Sequence, residues 1–307
     1  MEKTESNARR LAVLEYPYLY AAWHVCREDH ARAVSERRPF SGARRSVDLY
    51  REKGTYGKAG VSYTVEEITG APYEAIPLHF AEVCRRAAAA GDRILTSSGY
   101  CAFAPAVLGG LQQALGPEKK VGLVWVDAHC DNVIVEETER PDLRFVAVPL
   151  STIAGQTMRD WGRDFCRMAR PLTAGEILLG DGHCSGAEEY ENLARAGIDR
   201  VLPAEFADTA RWAARVQALA DRVDAIYLMV DVDILRNEYI PAYFRPEPGG
   251  HALETVLGNV RAVMRTGKVL AFSCFCVDFD KYAQGGETTF ESGRQIIEAG
   301  LAAWAET

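Results

Sequence analysis

The sequence predicts an α/β fold with three layers (α-β-α), in which helices cover both faces of a mostly parallel central sheet. Continuous apolar runs alternate along the chain with amphipathic segments, a pattern typical of parallel strands that are buried on both faces. The composition, with 48% hydrophobic and 25% charged residues, is that of an ordinary globular protein. No Pro/Ser-rich linker, internal repeat or low-complexity segment interrupts the sequence, so we expect one domain over residues 1–307.

Six short apolar segments are predicted to be strands, and longer amphipathic segments are predicted to be helices. The strand segments are residues 10–16, 93–99, 120–129, 176–182, 225–235 and 268–279. The helical segments are residues 77–91, 104–116, 151–169, 185–197, 204–223, 250–267 and 288–306. Residues 35–75 show little periodicity and contain several glycines, which predicts a long loop beside an active site.

Charge and composition narrow the functional classes. The net charge of −8 disfavours general binding to nucleic acid or to acidic membranes. No segment approaches the roughly 20 apolar residues of a transmembrane helix, and the charged N-terminus lacks a signal-peptide core. The eight cysteines show neither disulfide-scaffold density nor zinc-ribbon spacing. We therefore expect a cytoplasmic protein that acts on a small molecule; the sequence indicates no oligomeric state.

Two predicted strands end in residues of the kind that bind metals. In LVWVDAHCDNV, residues 123–133, an apolar run leads into Asp127, His129 and Asp131. If the chain stays extended, these three side chains share one face and can converge. Asp231 and Asp233 in LMVDVDIL have the same alternate spacing. Since ligands bind beyond the carboxyl ends of parallel strands, both clusters lie where a site is expected.

Electrostatics favour a metal centre over isolated polar residues. Four carboxylates at the edge of a low-dielectric sheet repel one another and raise each other's pKa, a penalty that divalent cations remove. Four carboxylates and one imidazole match the charge of two such ions. Either cluster alone could equally consist of helix caps or solvated loop residues; the two together favour the metal centre.

Three stretches resemble motifs of the ureohydrolase (arginase/agmatinase) family. VDAHCD is similar to its D-A-H-x-D motif. MVDVDILRNEYIPAYFRPEPGGH resembles D-V-D-x-L-D-P-x-x-x-P-x-x-x-x-P-x-x-G-G without a gap, with Arg236 in place of the second motif's third aspartate; the residues that match are Asp231, Val232, Asp233, Leu235, Pro241, Pro246, Gly249 and Gly250. ILTSSGYCAFAPAVLGGL occupies the place of L-G-G-D-H-S-x-A-x-G, with Cys101 on the histidine. The resemblance covers roughly residues 80–301 and implies an arginase-like fold.

The resemblance also implies a centre of two manganese ions. The implied ligands are Cys101, Asp127, Asp131 and Asp231 for one ion, and His129, Asp127, Asp231 and Asp233 for the other. In this family the ions stabilise a hydroxide that attacks a guanidinium carbon, and an amine leaves.

Cys101 is the first departure from the family pattern. A thiolate is softer than imidazole, so zinc, iron or cobalt would suit this ligand better than manganese. The alternative is a buried structural cysteine beside a site that has lost one ligand. A cysteine at this place also occurs in a minor branch of the family, whose member of known function is the Nω-hydroxy-L-arginine amidinohydrolase of D-cycloserine biosynthesis. That branch is the nearer likeness and implies a role in antibiotic biosynthesis.

The groups that would handle the substrate also depart from the pattern. The histidine of H-G-M-P-[LV], which delivers a proton to the leaving amine, aligns with Val146, or with Ala154 if the alignment shifts. The glutamate of E-V-x-P, which pairs with the guanidinium, aligns with Cys276, and Asp278 follows two residues later. Because a hydroxylated nitrogen is weakly basic, it needs less help in leaving. These losses therefore favour a hydroxyguanidine over L-arginine.

Several further residues are candidates by position. Val133 follows the first motif where arginases have an asparagine, Glu137 lies shortly after it, and His183 aligns with the aspartate of [LIV]-G-x-R-D. The candidate catalytic residues are Asp131, His183 and Asp278. The candidate substrate-binding residues are Val133, Glu137, Arg236 and Cys276. The alternatives are an ordinary loop histidine for His183 and exposed surface residues for Glu137 and Arg236.

The leading functional hypothesis is a manganese-dependent amidinohydrolase that cleaves Nω-hydroxy-L-arginine or a related hydroxyguanidine into hydroxyurea or urea and an amine. A second hypothesis keeps the metals but changes the group attacked to an amide, formimidoyl or peptide-bound guanidine group. A third is a catalytically silent relative that serves as a binding partner. Retention of every carboxylate ligand disfavours the third, since acidic clusters without cations are costly.

Overall fold

The central sheet is parallel and contains eight strands in the part of the chain that the structure describes. The computed structural model describes residues 10–16, 46–68, 75–138, 147–243, 247–277 and 285–307. Its strands are β1 (Leu11–Glu15), β2 (Tyr63–Glu67), β3 (Arg93–Thr96), β4 (Val121–Asp127), β5 (Ile177–Asp181), β6 (Arg200–Val201), β7 (Ala225–Asp231) and β8 (Val269–Phe275). Their order is β2-β1-β3-β8-β7-β4-β5-β6. The predicted α/β class is confirmed. The sheet was expected to be mostly parallel, and every described pair of neighbouring strands is parallel.

Helices cover the sheet on both faces. They are α1 (Ser46–Glu52), α2 (Ala75–Ala89), α3 (Ala104–Leu115), α4 (Pro149–Ile153), α5 (Ala187–Ala196), α6 (Pro203–Phe206), α7 (Thr209–Ala220), α8 (Leu253–Met264) and α9 (Gly286–Ala305). Helices α2 and α3 pack together, while α7, α8 and α9 pack in a second row. The central strands β4 and β7 are buried at every position, as expected for strands between two helical layers.

The largest difference from the predicted pattern lies in residues 46–68, which belong to a segment expected to be loop. They form α1, a 3₁₀ turn (Thr55–Ala59) and the edge strand β2. The side chains of β2 are exposed or half-buried because only β1 pairs with it, so its sequence lacks an apolar run. Residues 35–45 and 69–74 of the expected loop lie outside the described residues. Strand β6 was also missed, because two residues are too few to make a pattern.

Two predicted helices are interrupted. The helix expected over residues 151–169 ends at Ile153, and a separate π-helical turn follows at Trp161–Phe165. Gly155 has φ +69°, and a Cβ there would lie 2.6 Å from Cγ of Pro171, so the chain must turn. The helix expected over 204–223 is two helices, α6 and α7. Asp208 separates them by capping α7: its carboxylate accepts the N–H groups of residues 210 and 211.

The topology brings the chemically interesting residues to one edge. Strands β3, β8, β7 and β4 are neighbours at the centre of the sheet, and parallel pairing directs their carboxyl ends the same way. Asp127 and Asp231 are the last residues of β4 and β7, and Cys276 directly follows β8. A site built there draws on four consecutive strands. Among the described helices, none is long and apolar enough to cross a membrane.

Candidate metal centre

The first part of the centre follows β4. The carbonyl of Asp127 accepts the N–H of Gly182 at 2.9 Å, and that of Ala128 accepts the N–H of Cys184 at 2.7 Å. These bonds hold the end of β4 against the segment that follows β5. The backbone then turns, and Asp131 adopts a left-handed conformation with φ +48°. The expectation that the chain stays extended after Asp127 is therefore wrong. A turn, and not the alternation of a strand, brings the side chains of this motif to the centre.

The second part follows β7 and is tied to the first. Oδ1 of Asp231 accepts the N–H of Asp233 at 3.1 Å, which closes a tight 3₁₀ turn. Oδ1 of Asp233 accepts the N–H of Ala128, also at 3.1 Å. The Tyr243 hydroxyl donates to Oδ2 of Asp233 at 3.2 Å. One carboxylate thus connects the ends of two neighbouring strands.

The third part is a pair of thiols. Cys101 begins a short 3₁₀ turn after β3, and Cys276 follows β8 in a left-handed conformation with φ +59°. The N–H of Cys276 donates to the carbonyl of Gly99 at 2.9 Å, which ties the two segments together. Gly99 has φ +111° and lies against Tyr16, Phe103 and Phe275, so a side chain would be strained there. Both cysteines are buried.

The structure brings all six sequence-predicted ligands into one connected cluster and adds a seventh residue. The cluster contains three overlapping groups, and within each group the potential ligand atoms lie within 4.8 Å of one another. The groups are Asp127, His129 and Asp233; Cys101, Asp127 and Asp131; and Cys101, Asp231 and Cys276. Asp127 and Cys101 each belong to two of the groups, an arrangement suited to two adjacent ions with shared ligands.

Burial and mutual repulsion control the charge of the cluster. Burial, followed by the charge of Asp233, raises the pKa of Asp127 and of Asp231 well above the usual range. Burial likewise raises the pKa of Asp131 to about 7. For Asp233, burial opposes ionisation, but the neighbouring His129 charge lowers its pKa. Without cations, three of these four carboxyl groups resist ionisation, and bound cations would reverse that tendency.

Two carboxylate oxygens are the strongest sign that the cluster fits cations. Oδ2 of Asp127 and Oδ2 of Asp131 are buried and have no hydrogen-bond partner among the described residues. A buried acceptor left without a partner costs about 1–3 kcal/mol, which native proteins seldom tolerate without a reason. Both atoms belong to residues whose ligand atoms converge. The donor set of carboxylates, an imidazole and thiols therefore fits a centre of divalent metals.

His129 has a partner on each ring nitrogen. Its Nδ1 lies 2.9 Å from Oδ2 of Asp233 and 3.5 Å from Oδ1 of Asp127, and its Nε2 lies 3.4 Å from Oε1 of Glu247. A carboxylate behind a histidine ligand orients the ring and fixes its tautomer. Sequence reasoning missed Glu247 and Tyr243. Both lie in the loop that follows Asp231 and Asp233, and this position was the only signal in the sequence. The family motif fixes the length of that loop but does not specify the residue at either position.

A second buried network stands beside the centre. Asp181 ends β5 in register with Asp127 on β4. Oδ1 of Asp181 lies 3.0 Å from Nδ1 of His183, and Oδ2 contacts Nε2 of His251. Although burial opposes it, these two hydrogen bonds hold the pKa of Asp181 below its usual range. The bonds to Asp181 and then Cys184 raise the pKa of His183 to about 10, and its Nε2 contacts the carbonyl of Pro248 at 3.0 Å.

The other sequence-predicted residues are placed as follows. Val133 is buried, and its N–H donates to the carbonyl of residue 147 at 2.8 Å. Glu137 pairs with Arg195 at 2.7 Å, with both side chains about half exposed. Arg236 pairs with Glu238 at 3.0 Å. Asp278 and Val146 lie outside the described residues. These contacts do not join Val133, Glu137 or Arg236 to the cluster, and their proposed roles stay predictions.

Cys276 lies among the predicted ligands. Its thiol shares one group with Cys101 and Asp231. A hydrogen bond with Cys101 lowers its pKa, but burial and the charge of Asp231 raise it further, to about 12. The hydrogen bond with Cys276, together with burial, raises the pKa of Cys101. In the cluster without cations both groups are therefore thiols, so neither is an activated nucleophile.

The chain is similar to known proteins in both sequence and fold. The sequence model of the Arginase family matches residues 53–300. An arginase of Eremothecium gossypii is 26% identical over 246 residues, which are 78% of this chain and 57% of that protein, so the chain spans little more than half of its length. Entamoeba histolytica arginase, solved with L-ornithine, superposes with TM-score 0.74 and 16% identity over 95% of this chain and 98% of its own. Bacillus subtilis formimidoylglutamase superposes with TM-score 0.67 and 13% identity, over 99% of this chain and 89% of its own. The structural likenesses show the fold.

Proposed function

Because this chain belongs to the arginase family, we propose that it is a binuclear metallohydrolase that cleaves a C–N bond of a guanidine-type substrate. The observation that carries the proposal is the pair of buried carboxylate oxygens, on Asp127 and Asp131, that lack hydrogen-bond partners among the described residues while other ligand atoms converge on them. We propose Nω-hydroxy-L-arginine or a related hydroxyguanidine as the substrate.

Each ligand has a defined task in this proposal. Cys101 and Asp131 would hold one ion, and His129 and Asp233 the other, with Asp127 and Asp231 shared between the two. When bound, two divalent cations supply a water of lowered pKa, which is the nucleophile of hydrolysis. The chain contributes rigidity: the hydrogen bonds from Ala128 to Asp233 and within the turn after β7 set the carboxylates before any ion arrives.

The choice of a hydroxyguanidine rests on proton donation. Of the described histidines, His129 lies among the ligands, His183 contacts an acceptor with each ring nitrogen, and His251 bonds to Asp181. His79 contacts Glu66, which lies on the edge strand β2. Each described imidazole is therefore already engaged with an acceptor, and among them His183 alone stays a candidate proton donor. If the hydroxylated nitrogen leaves, the products are hydroxylamine and a ureido compound, and this weakly basic leaving group needs less assistance than the alkylamine that leaves when hydroxyurea forms.

Substrate contacts in this proposal come from the mouth of the site. Val133, Glu137 and Arg236 stay predicted contacts, and Asp278 a predicted catalytic residue. His183 stays a predicted catalytic residue as well, although its two hydrogen bonds also suit a positioning role. Replacing it by Gln separates the two: a proton donor's loss lowers kcat with stability unchanged, whereas a positioning residue's loss lowers stability.

The substrate proposal is tested by incubating the metal-loaded protein with Nω-hydroxy-L-arginine, L-arginine, agmatine and a formimidoyl amino acid. Colorimetric or mass-spectrometric detection should reveal hydroxyurea, or hydroxylamine where the hydroxylated nitrogen leaves, from the first compound and little product from the others. Turnover of L-arginine alone would overturn the substrate proposal while leaving the hydrolase intact. A protein that binds two metal ions but releases no product from any of them would support a catalytically silent relative.

A further inference from the structure

The two buried thiols of the centre are spaced like ligands of one ion. The sulfur atoms of Cys101 and Cys276 and a carboxylate oxygen of Asp231 lie within 4.8 Å of one another. A zinc–sulfur bond is about 2.3 Å long, so two sulfurs on one zinc ion are separated by at most roughly 4.6 Å. Small adjustments of buried side chains therefore suffice to seat one ion between all three groups.

The backbone holds the thiols in this arrangement. Cys276 takes a left-handed backbone conformation although it is not glycine, which costs roughly 1–2 kcal/mol. Its N–H bonds to the carbonyl of Gly99, two residues before Cys101, and couples the end of β8 to the turn after β3. Strained residues persist where the surrounding structure determines them, and they collect at functional sites. The unusual conformation of Cys276 directs this thiol to the cluster rather than into the core.

Cys274 provides a contrast on the same strand. It is also buried, but its thiol approaches the carbonyl of Gly293 in α9 at 3.9 Å and belongs to none of the convergent groups. Cys274 is therefore a core residue, whereas Cys276 contributes to the cluster, so the two cysteines do not have the same structural role. Only the one beyond the strand end faces the carboxylates.

The two halves of the centre differ in chemical softness. One half offers Cys101, Cys276 and Asp231, and the other offers Asp127, His129 and Asp233; Asp131 lies between them, grouped with Cys101 and Asp127. Thiolates select zinc and similar soft ions, whereas carboxylates suit manganese. We propose that Cys276 is a metal ligand, and that it forms with Cys101 and Asp231 a two-thiolate zinc site beside a carboxylate–imidazole manganese site. This inference rests on the proposed metallohydrolase and specifies its metal content.

Ligation by Cys276 has a consequence for substrate binding. Each thiol loses its proton when it binds the ion, because the thiolate is the ligand form. Four aspartates and two thiolates then carry more negative charge than two divalent cations neutralise. The excess attracts a cationic guanidine-type group, a task that the family pattern gives to a glutamate at the position of Cys276.

The test uses the full-length protein, purified with a phosphine reductant so that both thiols stay reduced, and loaded with Co²⁺. Thiolate-to-cobalt charge transfer gives a near-ultraviolet band whose intensity follows the number of bound thiolates. We expect a strong band for the wild type, about half of it for Cys276→Ser and for Cys101→Ser, and none for the double variant. Cys274→Ala is the matched control and should keep the full band.

Metal selectivity supplies a second readout. Dialysis of the metal-free protein against excess Mn²⁺ with one equivalent of Zn²⁺, followed by elemental analysis, should leave about one zinc ion and one manganese ion per chain. Cys276→Ser should retain less zinc than the wild type, and manganese should occupy the part of the site that zinc leaves. Circular dichroism confirms that each variant is folded.

The outcomes separate this inference from the proposed function. A full cobalt band in folded Cys276→Ser, or unchanged zinc retention, would overturn the ligand role of Cys276 while the two bound ions still support a metallohydrolase. A wild-type protein that binds no metal would overturn both. Two manganese ions in the wild type, with no zinc retained, would overturn the two-thiolate zinc site alone.

Discussion

Nδ1 of His129 lies 2.9 Å from Oδ2 of Asp233, and this contact joins the motifs that end strands β4 and β7. The two strands pair in parallel, so their carboxyl ends meet at one edge of the sheet. The contact explains why two short motifs that are distant in sequence form one centre. Asp127, which contacts the same imidazole, also converges with Cys101 and Asp131 and so connects this contact to the rest of the cluster.

Replacing Asp231 by Asn is expected to weaken metal binding and to stabilise the metal-free protein. Asn keeps the oxygen that accepts the N–H of Asp233 but is neutral, so the folded protein no longer holds a buried carboxyl group whose pKa burial and the charge of Asp233 raise. Thermal melts should show a higher Tm than the wild type without metal and a smaller rise with Mn²⁺. Asp160→Asn, at a side chain that is 84% exposed, is the control and should change neither value. A metal-induced rise equal to that of the wild type would exclude Asp231 as a ligand.

The stability of the metal-free protein is expected to fall as pH rises from 5 to 8. The pKa values of Asp127, Asp131 and Asp231 are raised in the folded state. A group with a raised folded pKa contributes stability that is complete below its unfolded pKa, near 4 for Asp, and is lost as pH rises through the folded value. For Asp131 that value is about 7. His129, whose pKa burial lowers but Asp233 raises above its usual range, acts in the same direction.

Urea unfolding in the presence of a chelator measures this effect. A loss of about 1 kcal/mol or more between pH 5 and pH 8 is expected, since one unit of pKa shift corresponds to about 1.4 kcal/mol. The metal-loaded protein is the control and should show the opposite trend, because cations bind the ionised carboxylates. Stability of the metal-free protein that rises over this range would show that the cluster is not strained by its own charge.

Glu247→Gln is expected to lower the metal affinity of the carboxylate–imidazole site by about 10-fold or more. Glu247 lies 3.4 Å from Nε2 of His129, and outer partners of this kind change metal affinity by about 10–100-fold when they are replaced. Competition with a chromophoric chelator measures the change. The matched control is Glu254→Gln, at an exposed residue in the first turn of α8. Equal affinities for wild type and Glu247→Gln would show that His129 is oriented without this carboxylate.

Asp181→Asn is expected to destabilise the protein by about 2 kcal/mol, the scale of a hydrogen bond to a buried charge. Asp181 is fully buried and bonds to His183 and His251. The contribution of His183, whose folded pKa is about 10, is complete below pH 6.5 and is lost as pH rises through about 10. The difference between variant and wild type should therefore shrink at high pH. Asp199→Asn, a surface partner of Arg215, is the control.

Some elements could be predicted from sequence because local pattern determines them. The runs that became β4 and β7 are buried on both faces, so every position had to be apolar until the final aspartate. The edge strand β2 escaped prediction because half of its contacts are with solvent. The break between α6 and α7 was missed because Asp208 acts through capping, which competes with a continuing helical pattern.

The sequence by itself determined the α/β class and the identity of six ligand-type residues, because both are written in short local motifs at strand ends. Only the tertiary structure decided how these residues meet. It showed that Asp131 reaches the centre through a turn, that Glu247 and Tyr243 support it, and that Cys276 joins Cys101. The physical reason is that contacts between the ends of different strands depend on strand order and loop conformation, which no single stretch of the chain encodes.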